Sequence, residues 1–167
     1  MISMILACGL NGEIGDTSRP DGLPWSHNKD DMKYFASLTK GKVVVMGGNT
    51  FRQLQDIGFE DGLPNRDNYV VSRDHSRNDE YVQSGSMKCM DYLLRVGYWE
   101  RDVFIIGGKS IYNQLHSYCD RVYLTRINKT FPDADVRINV DFLSEFAIIS
   151  RKVLNEYSHV EVWERNK

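Results

Sequence analysis

The sequence predicts a single α/β domain in which helices flank a central, mostly parallel twisted sheet and an antiparallel hairpin ends the chain. Three observations indicate this fold. Five short runs rich in β-branched residues are almost continuously apolar, which is typical of strands covered on both faces. Segments with apolar residues at helical spacing alternate with these runs. The last two strand-like runs follow each other across a short connection, as the strands of a hairpin do.

The predicted elements follow one another in the order β-α-β-α-β and onward. The apolar runs are residues 2–8, 42–46, 69–72, 103–106 and 121–127. The helical segments, each with apolar side chains along one face, are residues 29–40, 87–96 and 110–118. The predicted hairpin pairs residues 146–154 with residues 158–164. The longest predicted loops, residues 11–24 and 55–64, are rich in Gly and Pro, and loops of this length are often functional.

The composition of the chain excludes several classes of protein. Its 167 residues, 41% of them hydrophobic, suffice for one core and predict one domain over residues 1–167. The 21 basic and 23 acidic side chains give a net charge of −2, so no overall positive field favours nucleic acid or an anionic membrane. The sequence has no heptad seam, and we expect a monomer.

Cysteine and histidine usage favours a reducing compartment and predicts no metal site. The 3 cysteines are odd in number, far apart and without C-x-x-C spacing. The 4 histidines, His27, His75, His116 and His159, have no ligand spacing with one another or with the cysteines. The apolar residues 1–10 lack a basic leader and are too short for a membrane span. We therefore expect a cytoplasmic protein.

Asp31 is the residue that fits its predicted surroundings least well. It precedes Phe35 by four residues and Leu38 by seven, so its carboxylate shares a helix face with apolar side chains. A carboxylate on such a face is costly unless it has a partner. Alternatively, Asp30 and Asp31 simply occupy a first helical turn, where negative charge is favourable, with Asn28 or Asp30 as N-cap. The spacing leaves both interpretations open.

Three strand ends carry residues suited to a dinucleotide. Gly107-Gly108 and Gly47-Gly48 each end a strand and open a helix, a setting in which backbone amides approach a phosphate. Ser72-Arg73 ends a third strand with a hydroxyl and a cation. Ligands of open α/β sheets bind beyond the carboxyl ends of the strands, so the three junctions together favour a dinucleotide. Neither glycine pair belongs to a G-x-G-x-x-G motif, and each alone could be only a turn.

Three further side chains have both functional and structural interpretations. Trp25 ends the first long loop close to Asp31, but it could simply pack that loop. Arg66 offers a planar fork suited to a ligand carboxylate, but it could also be an exposed loop residue. Thr125 places a hydroxyl in an apolar run, where a neighbouring backbone carbonyl would suffice as its partner.

Taken together, these residues resemble those of dihydrofolate reductases over nearly the whole chain. The order and spacing of short segments carry the resemblance: residues 1–7 with Ile14-Gly15, Leu23-Pro24-Trp25, residues 31–35, Val45-Met46-Gly47 with Thr50, Leu63-Pro64 with Arg66, residues 70–73, residues 105–108 with Ile111-Tyr112, and residues 123–125. The resemblance implies the fold of that family and reduction of 7,8-dihydrofolate with NADPH, by hydride transfer to C6 and protonation at N5. It also implies dihydrofolate and antifolates as ligands.

The resemblance further implies roles for individual residues at the substrate. Asp31 matches the ionisable group of the pterin pocket, Thr125 matches its hydroxyl partner, and Trp25 lies near the water that relays the proton. Arg66 matches the group that binds the α-carboxylate of the substrate's glutamate. The other implied substrate contacts are the backbone carbonyls of Ile5 and Ile106 and the side chains of Leu6, Met32, Phe35, Leu54 and Leu63.

The resemblance implies a larger set of residues at the cofactor. Those near the nicotinamide are Ala7, Ile14, Gly15 and Tyr112. Those at the two strand–helix junctions, around the pyrophosphate, are Gly47, Gly48, Asn49, Thr50, Gly107, Gly108, Lys109, Ser110 and Ile111. Ser72 and Arg73 match the 2′-phosphate side of the adenosine pocket. The loop of residues 11–23 corresponds to a mobile lid that excludes water.

The chain also departs from the pattern of that family. Gly48 and Ser110 stand where many members have a basic residue, so two cations directed at the cofactor phosphates are missing. Arg73, with Lys109, remains to favour NADPH, and a weaker preference over NADH is expected. Residues 55–62 form a longer segment than in compact members, and Ala36 replaces a frequent basic or polar residue near the substrate's tail.

Two other functions compete with this interpretation. The related pyrimidine reductase domain of the flavin pathway shares the fold and NADPH, but it lacks the combination of Leu23-Pro24-Trp25 with residues 31–35. The second alternative is a non-catalytic folate-binding or structural protein that kept the fold. A purely structural role would not need Asp31, Trp25, Thr125 and Arg66 together with both glycines. Loss of NADPH absorbance on addition of dihydrofolate distinguishes these functions.

Overall fold

The computed structural model describes residues 1–74 and 77–167, so His75 lies outside the described residues. Its strands are β1 (Ile2–Cys8), β2 (Glu13–Gly15), β3 (Val43–Gly47), β4 (Asp67–Val71), β5 (Val82–Gly85), β6 (Val103–Gly107), β7 (Arg121–Ile127), β8 (Val136–Arg137), β9 (Phe146–Asn155) and β10 (Ser158–Arg165). Its α-helices are α1 (Lys29–Thr39), α2 (Gly48–Asp56), α3 (Met87–Arg95) and α4 (Lys109–Leu115). Short 3₁₀ helices lie at His116–Tyr118 and Asp141–Glu145.

The main sheet has the order β5-β4-β3-β6-β1-β7-β10-β9. Neighbouring strands from β5 to β7 are parallel, whereas β10 is antiparallel to both β7 and β9. The carboxyl ends of the parallel strands therefore lie along one edge of the sheet, where ligands of such sheets bind. This topology confirms the predicted mostly parallel sheet and its C-terminal hairpin.

Helices cover both faces of the sheet and form two apolar clusters with it. The cluster under α3 and α4 contains Leu6 of β1 and Leu115 of α4. The cluster under α1 and α2 contains Ile5 of β1 and Phe35 of α1. Successive side chains of β1 enter opposite clusters because a strand has a two-residue period. All residues of β3 are buried, as the continuous hydrophobicity of residues 42–46 predicts.

Four elements depart from the predicted pattern. β5 has a single apolar residue, Val82, and it forms a strand because it pairs with β4 at the edge of the sheet. β2 and β8 form a small sheet in which Glu13 pairs with Arg137, so part of the predicted loop 11–24 is a strand with charged residues. The predicted loop 55–64 begins within α2, which continues to Asp56.

The start of α1 is tied to the C-terminal hairpin. The side-chain oxygen of Asn28 accepts a hydrogen bond from the backbone N–H of Asp31 at 3.2 Å, so Asn28 rather than Asp30 is the N-cap. Asn28 is buried; its side-chain amide donates to Ser158 Oγ at 3.2 Å, and its oxygen also accepts from Asn155 Nδ2 at 3.0 Å. These contacts fix the first turn of α1 relative to β9 and β10. None of the helices within residues 1–74 and 77–167 is long and apolar enough to cross a membrane.

Candidate active site

Asp31 and Thr125 form the centre of the candidate site. Asp31 lies in the first turn of α1, and the Thr125 hydroxyl on β7 donates a hydrogen bond to Asp31 Oδ1 at 2.7 Å. Burial raises the pKa of Asp31, and the hydrogen bond from Thr125 offsets part of this rise. Asp31 therefore has a specific partner inside the fold, and it holds a proton more readily than an exposed aspartate does.

Tyr112 joins the ends of two strands beside this pair. Its hydroxyl lies 2.9 Å from the carbonyl oxygen of Ile5 on β1 and 2.8 Å from that of Ile106 on β6. The phenol has one hydrogen to donate, and each carbonyl oxygen has two lone pairs, so both oxygens can still accept from a ligand N–H. Burial, followed by the negative charge of Asp31, raises the pKa of Tyr112, which keeps the phenol neutral.

Apolar side chains of α1, α2 and the loop that follows α2 form a wall at this site. Ile5, Phe35, Leu54 and Leu63 all belong to the cluster under α1 and α2. Met32, also predicted to belong to this wall, is 52% exposed in the first turn of α1.

The expected contribution of the Leu6 side chain to this wall is not observed. Leu6 packs in the opposite cluster, under α3 and α4. The reason is the strand period, which directs neighbouring side chains of β1 to opposite faces and places Ile5 on the side of α1. Ala7, the next residue of β1, is half-buried.

The Trp25 ring is buried and holds the first long loop in place. Its ring packs edge-on against Phe131, with 5.7 Å between the ring centroids and an interplanar angle of 60°. The backbone carbonyl of Trp25 also accepts a hydrogen bond from Arg19 Nη2 at 3.3 Å. The packing role that the sequence left open is therefore real. Sequence reasoning missed Phe131 because only the fold brings it to Trp25.

Arg66 is held in one orientation at the end of α1. Its Nε and Nη2 donate to Thr39 Oγ1 at 3.2 and 3.1 Å, and its Nη1 donates to the Pro64 carbonyl oxygen at 2.7 Å. Thr39 is buried and donates its own hydroxyl to the Phe35 carbonyl oxygen at 2.9 Å. Burial lowers the pKa of Arg66, but a guanidinium stays protonated at physiological pH. Of the five N–H groups of the fork, two take no part in these bonds and can meet a ligand carboxylate.

The two glycine-rich junctions lie against each other. A Cβ atom at Gly108 would lie 3.6 Å from Thr50 Oγ1. A Cβ atom at Gly47 would lie 3.0 Å from Ile111 Cγ1, and Gly107 has φ +114° with the Tyr112 hydroxyl 2.9 Å from the position of a Cβ. The Gly107–Gly108 peptide is cis. Glycine at these positions leaves the backbone of both junctions uncovered by side chains, which allows backbone and a ligand to approach each other closely.

The end of β4 provides a second polar space beside Gly48. A Cβ atom at Gly48 would lie 3.6 Å from Ser72 Oγ and 3.8 Å from Arg52 Nη1. Arg52 was not among the residues that the sequence pointed to. Its Nη2 donates to the side-chain oxygen of Asn49. Arg73 is exposed just after Ser72.

The remaining predicted cofactor residues lie along α4 and the first long loop. Lys109 and Ser110 are exposed at the start of α4, and Ser110 Oγ accepts a hydrogen bond from Gln114 Nε2 at 2.7 Å. Ile14 packs against the core, and a Cβ atom at Gly15 would lie 3.0 Å from Val136 Cβ. The first long loop therefore lies against β8.

Further contacts hold the same loop to residues 129–137. The Thr17 backbone N–H donates to Asp135 Oδ1 at 2.9 Å, and its hydroxyl donates to Oδ2 at the same carboxylate. Glu13 is fully buried and accepts hydrogen bonds from the backbone N–H groups of Asn11 and Phe131, both at 2.5 Å. Burial alone would raise the pKa of Glu13, but backbone N–H groups and Arg137 hold it below its ordinary value.

No group of three or more His, Cys, Asp or Glu side chains within the described residues could hold a metal ion. The candidate site brings together a partly buried carboxyl–hydroxyl pair, two strand-end carbonyls, an apolar wall, an oriented guanidinium and two adjacent glycine-rich junctions.

Comparison with known proteins places the whole arrangement in context. The family model described as dihydrofolate reductase matches residues 1–162. The dihydrofolate reductase of Bacillus subtilis is 34% identical over 131 residues, which cover 78% of this chain and 71% of that protein. Dihydrofolate reductase type 9 of Escherichia coli is 30% identical over 155 residues, which cover 89% of this chain and 82% of that protein. A solved structure of dihydrofolate reductase from Enterococcus faecalis, complexed with NADP(H) and RAB-propyl, matches with a TM-score of 0.82 and 26% identity over 100% of this chain and 97% of that one.

Proposed function

The chain belongs to the dihydrofolate reductase family, and we propose that the site around Asp31 is where it reduces 7,8-dihydrofolate to 5,6,7,8-tetrahydrofolate with NADPH. The activity is that of an NADPH-dependent oxidoreductase of one-carbon metabolism, which supplies tetrahydrofolate for thymidylate and nucleotide synthesis. The buried pair of Asp31 and Thr125 carries the assignment of the reaction to this site. A carboxyl group with a raised pKa in a cleft is suited to proton transfer.

The pterin ring lies against Asp31 in this proposal. The Asp31 carboxylate accepts hydrogen bonds from N3–H and the 2-amino group, and the carbonyl oxygens of Ile5 and Ile106 accept from the opposite part of the ring edge. Tyr112 holds these two carbonyl groups in place, because its hydroxyl lies 2.9 Å from the Ile5 oxygen and 2.8 Å from the Ile106 oxygen. The apolar wall of Phe35, Leu54 and Leu63 covers the ring and excludes water, which strengthens these polar contacts.

Asp31 also favours protonation of N5. Its carboxyl group keeps a proton at a higher pH than an exposed aspartate would, because it is buried. A water between N5 and the carboxyl group, beside Trp25, completes the path of the proton. Bound NADPH supplies the hydride that C6 receives.

Arg66 binds the α-carboxylate of the substrate's glutamate in this proposal. Thr39 and Pro64 hold the guanidinium before any ligand arrives, so little side-chain entropy is lost on binding. Two parallel charge-assisted hydrogen bonds to a carboxylate follow from the planar fork. This contact lies away from the reacting atoms and serves substrate binding.

The cofactor lies along the carboxyl ends of β3, β4 and β6. The pyrophosphate lies beside the adjacent Thr50 hydroxyl and Gly108 backbone, and the 2′-phosphate lies beside Ser72 and Arg73. The nicotinamide end approaches Ala7, Ile14 and Tyr112. Residues 11–23 act as the lid over this end, and lid movement is a step that can limit turnover.

The chain acts as a cytoplasmic monomer in this proposal, with no nucleic-acid or membrane partner. The net charge of −2 gives no overall positive field, which disfavours nucleic acid and anionic membranes as partners. Antifolates are expected to compete with dihydrofolate at the Asp31 pocket, because they present a similar edge of hydrogen-bond donors.

A direct assay tests the proposed function. When purified protein is mixed with NADPH and dihydrofolate, the absorbance of NADPH should decrease. The rate of this decrease should fall to zero when either compound is omitted. Tetrahydrofolate formed in equal amount to the NADPH consumed establishes the reaction. NADPH oxidation that does not depend on dihydrofolate contradicts the proposal.

A further inference from the structure

Arg52 lies where the chain lacks a cation that many relatives have. Gly48 carries no side chain, and Arg52 is four residues further along α2, which places its side chain over the same turn of the helix. The guanidinium lies near the position of residue 48, because its Nη1 would be 3.8 Å from a Cβ atom at Gly48. The residues that the family resemblance assigns to the cofactor do not include Arg52.

Ser72, which directly follows β4, lies beside the same position. The Cβ position of Gly48 is 3.6 Å from Ser72 Oγ, so the hydroxyl and the guanidinium both border the position that a side chain at residue 48 would occupy. Ser72 Oγ accepts a hydrogen bond from the Asp74 backbone N–H at 3.1 Å. Its own hydrogen is therefore free to be donated toward the space beside Gly48.

The positive charge of Arg52 points toward the start of α2 and has no acidic partner within the described residues. Its Nη2 donates to the neutral side chain of Asn49, which turns the guanidinium toward the start of α2. None of the ion pairs within residues 1–74 and 77–167 includes Arg52, whereas Arg77 is paired with Asp61 and Asp79. An anion in the space beside Gly48 would therefore meet a cation that no acidic side chain has neutralised.

The position beside Gly48 in the sheet indicates which phosphate of the cofactor Arg52 and Ser72 would meet. Thr50 and Gly108 lie against each other where β3 and β6 end, and the proposed function puts the pyrophosphate beside them. Ser72 follows β4, which pairs with β3 on the side away from β6. Neighbouring strands are about 4.8 Å apart, so the Ser72–Arg52 space lies one strand further out, on the adenosine side.

We propose that Arg52 binds the 2′-phosphate of NADPH together with Ser72, and that it is a specificity-determining residue that replaces the missing cation at position 48. The inference rests on the proposed function, because it concerns the cofactor of that reaction. Because Arg52 supplies a positive charge that Gly48 and Ser110 lack, the preference for NADPH over NADH should be stronger than those two residues imply.

Binding measurements on three variants test this role. Arg52→Gln removes the charge and shortens the side chain, and Arg52→Lys retains a charge without the planar fork. The control Arg95→Gln removes an arginine at the end of α3 that is 64% exposed and pairs with Asp91 at 3.8 Å. Dissociation constants for NADPH, NADH, adenosine 2′,5′-bisphosphate and adenosine 5′-monophosphate are measured by calorimetry.

Arg52→Gln should weaken NADPH and the bisphosphate roughly tenfold to a hundredfold and leave NADH and the monophosphate unchanged. Arg52→Lys should recover part of the loss, and Arg95→Gln should bind all four compounds as wild type does. Equal losses for NADPH and NADH would overturn the proposal, because Arg52 would then contact the shared part of the cofactor; unchanged binding would overturn it as well. Dihydrofolate-dependent oxidation of NADPH by the wild type tests the proposed function separately from these constants.

Discussion

Thr125 Oγ1 donates a hydrogen bond to Asp31 Oδ1 at 2.7 Å and joins residues 94 positions apart in the chain. This bond stabilises the ionised carboxylate, whereas burial stabilises the protonated one, and burial is the larger effect. The proton affinity of the site therefore depends on two opposing contributions. Changing Thr125 therefore moves the pKa of Asp31 in a direction that can be stated in advance, whereas changing Asp31 removes the titrating group.

Asp31→Asn should lower turnover at neutral pH by about 10² to 10⁴, because the amide cannot supply the proton that general acid catalysis requires. The rate of the variant should rise as the pH falls toward the pKa of N5, since protonated substrate bypasses the carboxyl group. Steady-state kinetics across pH measures both effects. A wild-type rate at neutral pH would exclude Asp31 from the proton transfer.

The same substitution should not destabilise the fold at neutral pH. The pKa of Asp31 is raised in the folded protein, so the folded state binds this proton more tightly than the unfolded chain. Stability from this group is therefore present at low pH and is lost as the pH rises through the folded pKa. Asn keeps an oxygen that can accept the hydrogen bond from Thr125. We therefore expect the unfolding free energy of Asp31→Asn at neutral pH to equal or exceed that of the wild type, as measured by urea titration.

Thr125→Val should move the pH dependence of turnover upward. Valine keeps the volume of threonine but removes the hydrogen bond to the charged carboxylate, so the pKa of Asp31 rises further. A hydrogen bond to a charged group contributes about 1.5–3 kcal/mol, which corresponds to roughly one to two pH units. The matched control Thr125→Ser keeps the hydroxyl and should retain the wild-type profile; a profile that is identical in the valine variant would contradict this coupling.

The particular residues explain which parts of the site could be predicted from the sequence. Asp31 was detectable because its i+4 and i+7 neighbours, Phe35 and Leu38, mark an apolar helix face. Its partner Thr125 was ambiguous, because a hydroxyl in a strand has several possible acceptors and only the sheet register selects one. The family resemblance placed Leu6 in the pterin wall, but the two-residue strand period directs its side chain to the other face.

Other features carry no local signal. β5 contains one apolar residue, Val82, so its pairing with β4 depends on the rest of the sheet. Arg52 looks like an ordinary exposed helix cation, and its relation to Ser72 exists only after β4 lies beside β3. Glu13 and Arg137 likewise appear as loop charges until β2 pairs with β8.

Arg73→Ala should weaken NADPH more than NADH. Arg73 is exposed directly after Ser72, and a charge-assisted bond to the 2′-phosphate contributes roughly 1.5–3 kcal/mol that NADH does not have. The ratio of kcat/KM for the two cofactors measures the change. If both cofactors are affected alike, Arg73 supports the fold or the pyrophosphate instead.

Glu13→Gln should destabilise the protein by about 1–3 kcal/mol at neutral pH, because an amide cannot accept from both Asn11 and Phe131 as the carboxylate does. The pKa of Glu13 is lowered from 4.5, so its contribution is fully present above that value and is lost as the pH falls through the folded pKa. Urea titrations of the variant and wild type should therefore converge under acid. The exposed Glu156→Gln serves as control and should match the wild type throughout.

Arg66→Leu should raise KM for dihydrofolate by an amount equivalent to roughly 2–4 kcal/mol of binding, while kcat changes comparatively little. The reason is that the α-carboxylate contact is equally strong in the ground state and the transition state, since it lies remote from C6 and N5. Thr39 and Pro64 now explain how the guanidinium is oriented for this contact. A pterin substrate without the glutamate separates binding from structure: the wild type and the variant should reduce it equally well. If Arg66→Leu impairs both substrates alike, the hydrogen bonds of Arg66 to Thr39 and Pro64 serve the fold, and the glutamate must be bound elsewhere.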